Sequence, residues 1–407
     1  MIKNCTTSFR LRYSRFINFA QKNGILTQTN KRLWFIDAAR SIAIIMMLQG
    51  HFISLTLEDY TEKAAGISLN GTSGNLLFDA WFFLRGLTAP LFFFIVGVVF
   101  VYLLLGETTL SYFRQKRVRK GFQRALMVIL WGYIIQLNWK NLDYYLSGRI
   151  NVRFYGFHVL QSIGVGILSL LVFYAIYLLI KRIRFSILLF VGGLLIFTFY
   201  PLIDSFGSNY LPSAAPEIIQ NAIHGPNSFF PIFPWLGFVL FGGCVGALLR
   251  EMGSKVQEKW FPLKFILGAL LAGLGALVAL YFVNRWCMGG LGLFNTLSYY
   301  AKLAEVILII GFLMYLERYS KDRNTLFLRM GQNTLIIYIL HVIVLYGALI
   351  GIGLKTYYED ELNTSQTILG AIAFILFFAL LTKIQPFVIR ALKSIIRKLI
   401  SKRSKAD

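Results

Sequence analysis

Long apolar runs, separated by short polar segments, recur along the chain from residue 34 to about residue 390. A helix needs roughly 20 residues to cross about 30 Å of hydrocarbon. The pattern therefore predicts about ten transmembrane helices, near residues 34–54, 79–105, 121–138, 158–180, 185–202, 230–250, 262–283, 298–317, 333–354 and 367–389. The expected fold is an all-α polytopic membrane helix bundle.

The polar segments between these runs alternate in charge. Lys and Arg concentrate in the first 33 residues and in every second connecting segment, and the tail after Lys383 is also basic. Cytoplasmic loops of membrane proteins hold the excess of Lys and Arg. The alternation predicts two cytoplasmic termini in a cell (inner) membrane, with a basic arm over 1–33, a transmembrane domain over 34–390 and a basic tail over 391–407.

Composition agrees with a membrane protein, because 57% of residues are hydrophobic and only 14% are charged. The formal net charge of +23 is explained by the segments next to the membrane, which face anionic lipid headgroups, so we expect lipid contacts and no nucleic acid. Cys5, Cys244 and Cys287 are scattered, which gives neither a disulfide framework nor a metal site. Phosphate-loop, zinc-protease and serine-elbow motifs are absent from the sequence.

The first predicted span contains three ionisable residues, Asp37, Arg40 and His51. Eleven residues of helix turn through about three full turns, so Arg40 and His51 share one face about 16 Å apart. Asp37 lies one turn before Arg40 and can pair with it. A structural ion pair at the interface and a hydrogen-bonded histidine would explain each residue alone. The shared stripe favours a function, because charge inside a bilayer is costly.

Other ionisable residues occur near the predicted ends of later spans. Asp79 and Arg85 precede an apolar run and lie on different helix faces, six residues apart. His158 opens the fourth span, and His341 follows Tyr338 by one turn in the ninth, about 12 Å from its cytoplasmic end. A snorkelling arginine and buried histidines bonded to neighbouring helices are the structural alternatives.

A basic segment, RQKRVRKGFQR at 114–124, precedes the third apolar run on the predicted cytoplasmic side. Arg and Lys clusters of this kind recognise phosphate groups. A neutral imidazole can take a proton from a hydroxyl or amine near pH 7. Together these features predict an anionic cytosolic donor, bound by basic residues, and a histidine base further out.

Two resemblances combine these features. The stretch RLWFIDAARSIAIIMMLQGH at 32–51 resembles the first-span signature of the transmembrane acyltransferase superfamily, and its arginine-to-histidine spacing is similar to that of the acyltransferase-3 family. The rest of the chain resembles the heparan-α-glucosaminide N-acetyltransferase catalytic family and its bacterial relatives. The stretches that carry this second resemblance are RGLTAPLFFFIVG, FHVLQSIGVGIL, PIFPWLGFVLFGGCVGALL and MGQNTLIIYILH.

The resemblance implies transfer of an acyl group, most simply acetyl, from cytosolic acetyl-CoA to an extracytoplasmic sugar or glycan hydroxyl or amine. His51 would be the base, because the histidine that the lysosomal enzymes have ahead of W-N-G-L-T is replaced here by DAWFFL before Arg85. The expected roles divide the remaining candidates into two sets. Asp79, Arg85 and His158 would orient the acceptor or the thioester, and the donor would be held by Asp37, Arg40, Arg117, Arg119, Arg124 and His341.

Two other functions fit the sequence. A transporter or flippase would also place charge and glycine within a bundle, although no inverted repeat of interrupted spans is visible. A non-catalytic scaffold would keep the fold without the chemistry. The sequence leaves the acceptor and the oligomeric state open.

Overall fold

The chain folds as a set of helices in the computed structural model, which describes residues 33–106, 112–138, 146–147, 152–180, 182–223, 225, 227–283, 285, 293–320 and 325–403. The predicted basic arm, except for Leu33, lies outside the described residues. Within them there is no strand, only two isolated bridges. The α-helices are α1 (Trp34–Thr56), α2 (Tyr60–Asn70), α3 (Leu76–Arg85), α4 (Thr88–Leu104), α5 (Lys116–Ile134), α6 (Val159–Ile180), α7 (Phe185–Ala214), α8 (Glu217–Ile223), α9 (Ile232–Met252), α10 (Phe261–Val283), α11 (Leu293–Leu316), α12 (Leu326–Gln332), α13 (Thr334–Tyr346), α14 (Lys355–Tyr358) and α15 (Thr364–Arg403).

The structure confirms an all-α polytopic bundle with slightly fewer clear spans than the apolar runs predict. Eight helices among the described residues are long and apolar enough to cross a membrane, and there are nine if the bent pair α12–α13 counts as one. The predicted span at 121–138 corresponds to residues 121–134 of α5 and the segment that follows it. Because α5 carries several basic residues between Lys116 and Arg124, it is not one of these eight helices. The predicted tail contains the end of α15, which continues to Arg403.

Helices α4 and α9 pack closely against each other. Gly97 of α4 faces the backbone of Val239, and Gly242 of α9 faces the carbonyl of Phe94. Small residues at such crossings let two membrane helices approach closely, so that van der Waals packing holds them together. This contact fixes α4, which forms one wall of the cavity described below.

Replacing Gly242 with valine is expected to destabilise the protein, because the new Cβ would overlap the carbonyl oxygen of Phe94, which is backbone and cannot rotate away. Overpacking of this kind costs about 1–3 kcal/mol or more. The matched control is Gly268→Val on α10, where a Cβ meets no atom within 4 Å. Thermal melting of the two variants in the same detergent measures the difference, and equal melting temperatures would contradict this close contact between α4 and α9.

Helix α12 and the bend after it bring α13 beside α1. Gly331 approaches α1 so closely that a Cβ there would overlap the Ser41 hydroxyl, and its own N–H donates to that hydroxyl at 3.1 Å. The Ser41 hydroxyl in turn donates to the carbonyl of Phe327 at 2.6 Å. The axes of α12 and α13 differ by 83°. Because α13 contacts Arg40 near its start and His51 near its end, it runs parallel to α1.

Candidate active site

One end of α1 carries the predicted ion pair. The carboxylate of Asp37 lies 3.8 Å from a guanidinium nitrogen of Arg40 and accepts a hydrogen bond from the Gln332 amide at 3.2 Å. Arg40 also donates to the Thr334 hydroxyl at 3.3 Å. Asp37 is buried, whereas the Arg40 side chain is 19% exposed. The pair therefore orients Arg40, through α12 and α13, towards the space beside α1.

A cavity of about 300 Å³ begins at Arg40. Basic side chains of α5 line it, and its walls are apolar residues of α4, α5 and α6. Thr334, Leu335 and Tyr338 of α13 complete the lining. Ligand pockets for small molecules start at about this volume and combine apolar walls with a few charged groups. The arrangement suits a molecule with an anionic part and a slender, less polar arm.

The basic lining comes from one face of α5. Arg117, Lys120 and Arg124 line the cavity, together with Gly121. They are spaced three and four residues apart, and such residues share a helix face. Arg119 is exposed and does not line the cavity. The structure thus brings together two of the three arginines predicted on α5 and adds Lys120, which the sequence reasoning missed.

His51 lies at the other end of the α1 stripe, next to α13. Its Nδ1 is 2.9 Å from the Tyr346 hydroxyl, and the two rings meet edge to face. The His341 ring lies on another side, with 5.4 Å between ring centroids. A tautomer in which Nδ1–H donates to Tyr346 leaves the lone pair of Nε2 available to accept a proton. This is the state that a general base requires.

His341 connects His51 with the cavity. Its ring is fully buried and 5.0 Å from the ring of Tyr338, which lines the cavity. Neither ring nitrogen has a hydrogen-bond partner among the described residues. Buried polar groups are nearly always satisfied by protein or ordered water, so this ring is a candidate contact for a polar ligand atom or a water molecule. The rings of Tyr338, His341 and His51 therefore form a continuous row from the cavity to the candidate base.

Arg85, at the end of α3, contacts α1 at Gly50, the residue before His51. Its aliphatic stem packs on Gly50, where a Cβ would lie 3.3 Å from the Arg85 Cγ. Its guanidinium donates to the Tyr60 hydroxyl and lies over the rings of Tyr60 and Trp81, 5.4 and 5.8 Å from their centroids. The Trp81 indole N–H donates to the Gln49 side chain at 2.6 Å. These contacts hold Arg85 against Gly50, which directly precedes His51 in α1.

Asp79 has a local role at the start of α3. Its carboxylate accepts hydrogen bonds from the Ser73 backbone and hydroxyl at 2.9 and 2.6 Å, and from the Thr72 hydroxyl at 2.5 Å. These bonds fix the turn between α2 and α3. The structure does not bring Asp79 into contact with His51 or Arg85. Arg85 lies on another face of α3 and contacts Tyr60 and Trp81 instead.

His158 also lies apart from this cluster. It directly precedes α6, and its ring packs against Phe229, with 5.5 Å between centroids. The remaining predicted residues form two groups joined by α1 and α13. One contains Arg40, Arg117 and Arg124 at the cavity, and the other contains His51, His341 and Arg85.

Comparison with known families gives this geometry a context. The family model described as heparan-alpha-glucosaminide N-acetyltransferase, catalytic, matches residues 32–285, which is more than half of the chain. The chain belongs to this family. No curated protein matches it. The family assignment and the helices that could span a membrane together identify a multi-pass membrane protein of an acetyltransferase family.

The heparan-alpha-glucosaminide N-acetyltransferase match includes α1 to α10, with His51, Arg85 and the basic face of α5, but it ends before α11. Tyr346 and His341 therefore join the site from outside the matched region. Sequence reasoning missed Tyr346 and Tyr60, the hydrogen-bond partners of His51 and Arg85. Tyr346 is 295 residues from His51, and Tyr60 lies on a different helix from Arg85. The spacing of residues within one helix therefore gave no signal for either contact. Among the described residues no group of His, Cys, Asp and Glu could hold a metal.

Proposed function

We propose that this protein is an integral membrane acyltransferase. It would move an acetyl group from cytosolic acetyl-CoA to an extracytoplasmic sugar or glycan hydroxyl or amine, with both termini cytoplasmic in the cell membrane. Acetyl-CoA is the donor expected of the family. The observation that carries the proposal is the line of side chains from the basic cavity through Tyr338 and His341 to His51.

The cavity would hold the donor. Phosphates of CoA would lie at the basic end, near Arg40, Arg117 and Lys120, because guanidinium and ammonium groups bind phosphate oxygens strongly. The apolar walls suit the pantetheine arm. The thioester would then point past Tyr338 to His341, whose ring nitrogens lack partners among the described residues. In this position the acetyl carbon would lie near His51, and the phosphates would lie near the other end of α1.

His51 would act as general base. The acceptor hydroxyl or amine gives its proton to Nε2 as its oxygen or nitrogen bonds to the acetyl carbon. The carbon–sulfur bond then breaks, and the CoA thiolate takes the proton back from the imidazolium. Tyr346 would hold the ring in the reactive tautomer through Nδ1. The cationic Arg85 and an N–H of His341 are the nearest groups that could stabilise negative charge on the thioester oxygen or the acceptor.

Transfer across a sealed membrane tests the proposal. Purified protein is reconstituted into liposomes that contain glucosamine, and labelled acetyl-CoA is added outside. The expected result is labelled N-acetylglucosamine inside the vesicles, with none in protein-free liposomes. Movement of glucosamine without any acetyl donor, and without acetylated product, would instead support a transporter and contradict the proposal.

Two arginines on α5 give a matched test of the donor site. Arg117→Gln is expected to weaken acetyl-CoA binding by roughly ten- to a hundredfold, because a charge-assisted hydrogen bond contributes about 1.5–3 kcal/mol and each 1.4 kcal/mol is a factor of ten. Arg119→Gln removes the same charge from the exposed side of the helix, so its affinity should stay close to that of the wild type. Isothermal titration with acetyl-CoA measures both. Equal losses would mean that only the overall positive charge of α5 matters.

A further inference from the structure

A second, larger cavity separates helix α10 from the rest of the bundle. It has a volume of about 810 Å³ and is lined by residues of α7, α9, α10 and α11. Only 17% of the apolar stretch Phe261–Val278 of α10 is buried, against 72% of the corresponding stretch within Ile232–Gln257, which contains α9. Gly268 and Gly273 line the cavity, and a Cβ built on either of them meets no atom within 4 Å. Helix α10 therefore has little direct packing against α9.

The walls of this cavity are almost entirely apolar. Of the described residues that line it, Lys264 alone is charged, and most of the others are aliphatic or phenylalanine side chains. An apolar cavity offers water no hydrogen-bond partners, so it stays dry or takes up an apolar molecule. An empty space of this size would also forfeit the van der Waals contacts that hold membrane helices together. A hydrocarbon chain from the surrounding bilayer is the nearest molecule of matching chemistry.

The length of the cavity suits one such chain. On α10 its lining begins at Phe261 and ends at Leu277, which is a rise of about 24 Å at roughly 1.5 Å per residue. One leaflet contributes about 15 Å of hydrocarbon, half of the roughly 30 Å core. A chain that enters at the Phe261 end could therefore lie inside the cavity along its whole length.

The Phe261 end of the cavity has the features of the headgroup region. Trp260 directly precedes α10 and is 59% exposed, and tryptophan is enriched at the membrane–water interface. Lys264 lines this end, and Lys259 lies over the Trp260 ring, 5.5 Å from its centroid. Lys264 also lies 3.3 Å from the Glu258 carboxylate, but the two side chains are 66% and 50% exposed, and exposed pairs of this kind contribute little. A cation at one end of an apolar cavity matches an anionic amphiphile.

We propose that this cavity is a binding site for an anionic phospholipid. The headgroup phosphate would lie at Lys264, and one acyl chain would lie along α10, in contact with both α10 and α9. No residue lines both this cavity and the one that begins at Arg40. The inference therefore goes beyond the proposed acetyl transfer and does not depend on it. The rival occupant is a helix from a second copy of the chain.

Photocrosslinking of the full-length protein in phosphatidylcholine nanodiscs tests this inference. One probe is phosphatidylglycerol with a diazirine midway along an acyl chain, and the other is phosphatidylcholine with the same diazirine. Mass spectrometry locates the label after irradiation. Cys244, Val245 and Leu249 of α9 line the cavity and are only 2–7% exposed, so a label on residues 244–249 reports a lipid chain inside the cavity. Native mass spectrometry of the same samples reports the oligomeric state.

Two matched pairs of variants separate the chain from the headgroup. Gly273→Phe places a ring in the cavity, whereas Gly275→Phe makes the same change at a glycine of α10 that also has free space but does not line the cavity. Lys264→Gln removes the cation at the cavity. Its control is Lys355→Gln, because Lys355 is also an exposed lysine, paired with Glu359 at 3.1 Å, and lies outside the cavity. A single gel-filtration peak and wild-type circular dichroism show that each variant is folded.

The phosphatidylglycerol probe is expected to label residues 244–249 of the wild type about fivefold more than the phosphatidylcholine probe. Fivefold corresponds to about 1 kcal/mol, the contribution of one lysine near an anionic membrane surface. Gly273→Phe should lose most of this label and Lys264→Gln should lose the preference, whereas both control variants should keep the wild-type pattern.

Three results would overturn the inference. The first is the absence of label on residues 244–249, and the second is equal labelling by the two probes in the wild type. The third is labelling of Gly273→Phe at the wild-type level. A dimer whose formation removes the label would assign the cavity to a second copy and would likewise overturn the lipid site.

Discussion

Replacing His51 with alanine is expected to lower the rate of acetyl transfer by roughly 10²–10⁴-fold, the contribution of a general base. The affinity for acetyl-CoA should change little, because the basic residues that would bind the donor lie about 16 Å away along α1. Single-turnover transfer of labelled acetyl and equilibrium binding of acetyl-CoA measure the two quantities.

His158→Ala is the matched control for this variant. It removes an imidazole that lies against Phe229, apart from the line between cavity and base. Its transfer rate should remain within about twofold of the wild type, because substitutions outside the core and outside the functional site usually have small effects. A His51→Ala protein with the wild-type rate would exclude His51 as the base, and an inactive His158→Ala protein would point to a site elsewhere.

Replacing Arg40 with glutamine is expected to weaken acetyl-CoA binding by about ten- to a hundredfold, on the order of 1.5–3 kcal/mol. Arg40 contacts the cavity directly and is oriented by Asp37 and Thr334. The transfer rate at saturating acetyl-CoA should recover most of its wild-type value, because the residue would contribute to binding and not to proton transfer.

Loss of Arg40 also removes one cationic partner of the buried carboxylate of Asp37, which is destabilising in itself. The double variant Asp37→Asn, Arg40→Gln removes that charge while the Gln332 amide stays close to residue 37. If donor binding is weak in both the single and the double variant, the loss belongs to Arg40. Recovery of tight binding in the double variant would show that Arg40 has a purely structural role.

The apolar runs were enough to predict the helical class and to place Asp37, Arg40 and His51 in one helix, α1. The period of the helix placed Arg40 and His51 on one stripe, and the structure confirms contacts with α13 at both positions. The same period could have sorted the basic residues of α5. Residues 117, 120 and 124 share a face, whereas 119 lies about 200° away from 117. Choosing arginines by residue type instead of by face included Arg119 and missed Lys120.

The neighbours of His51 could not be predicted in this way. Tyr346 and His51 are 295 residues apart, and their contact depends on the 83° bend between α12 and α13 and on the close approach of Gly331 to α1. No local pattern reports such a pairing of helices. Asp79 shows the opposite case, since its partners Thr72 and Ser73 are only a few residues away. A local capping interaction there was a simpler expectation than a catalytic one.

The central claim is that α1 carries a donor anchor at Arg40 and a base at His51, with separate roles. Steady-state transfer of labelled acetyl, measured against acetyl-CoA concentration for the wild type, Arg40→Gln and His51→Ala, tests it most directly. We expect a raised KM with nearly unchanged kcat for Arg40→Gln, and a kcat lowered by roughly 10²–10⁴-fold with little change in acetyl-CoA affinity for His51→Ala. Wild-type kcat in His51→Ala, or the same change in the same constant for both variants, would contradict it.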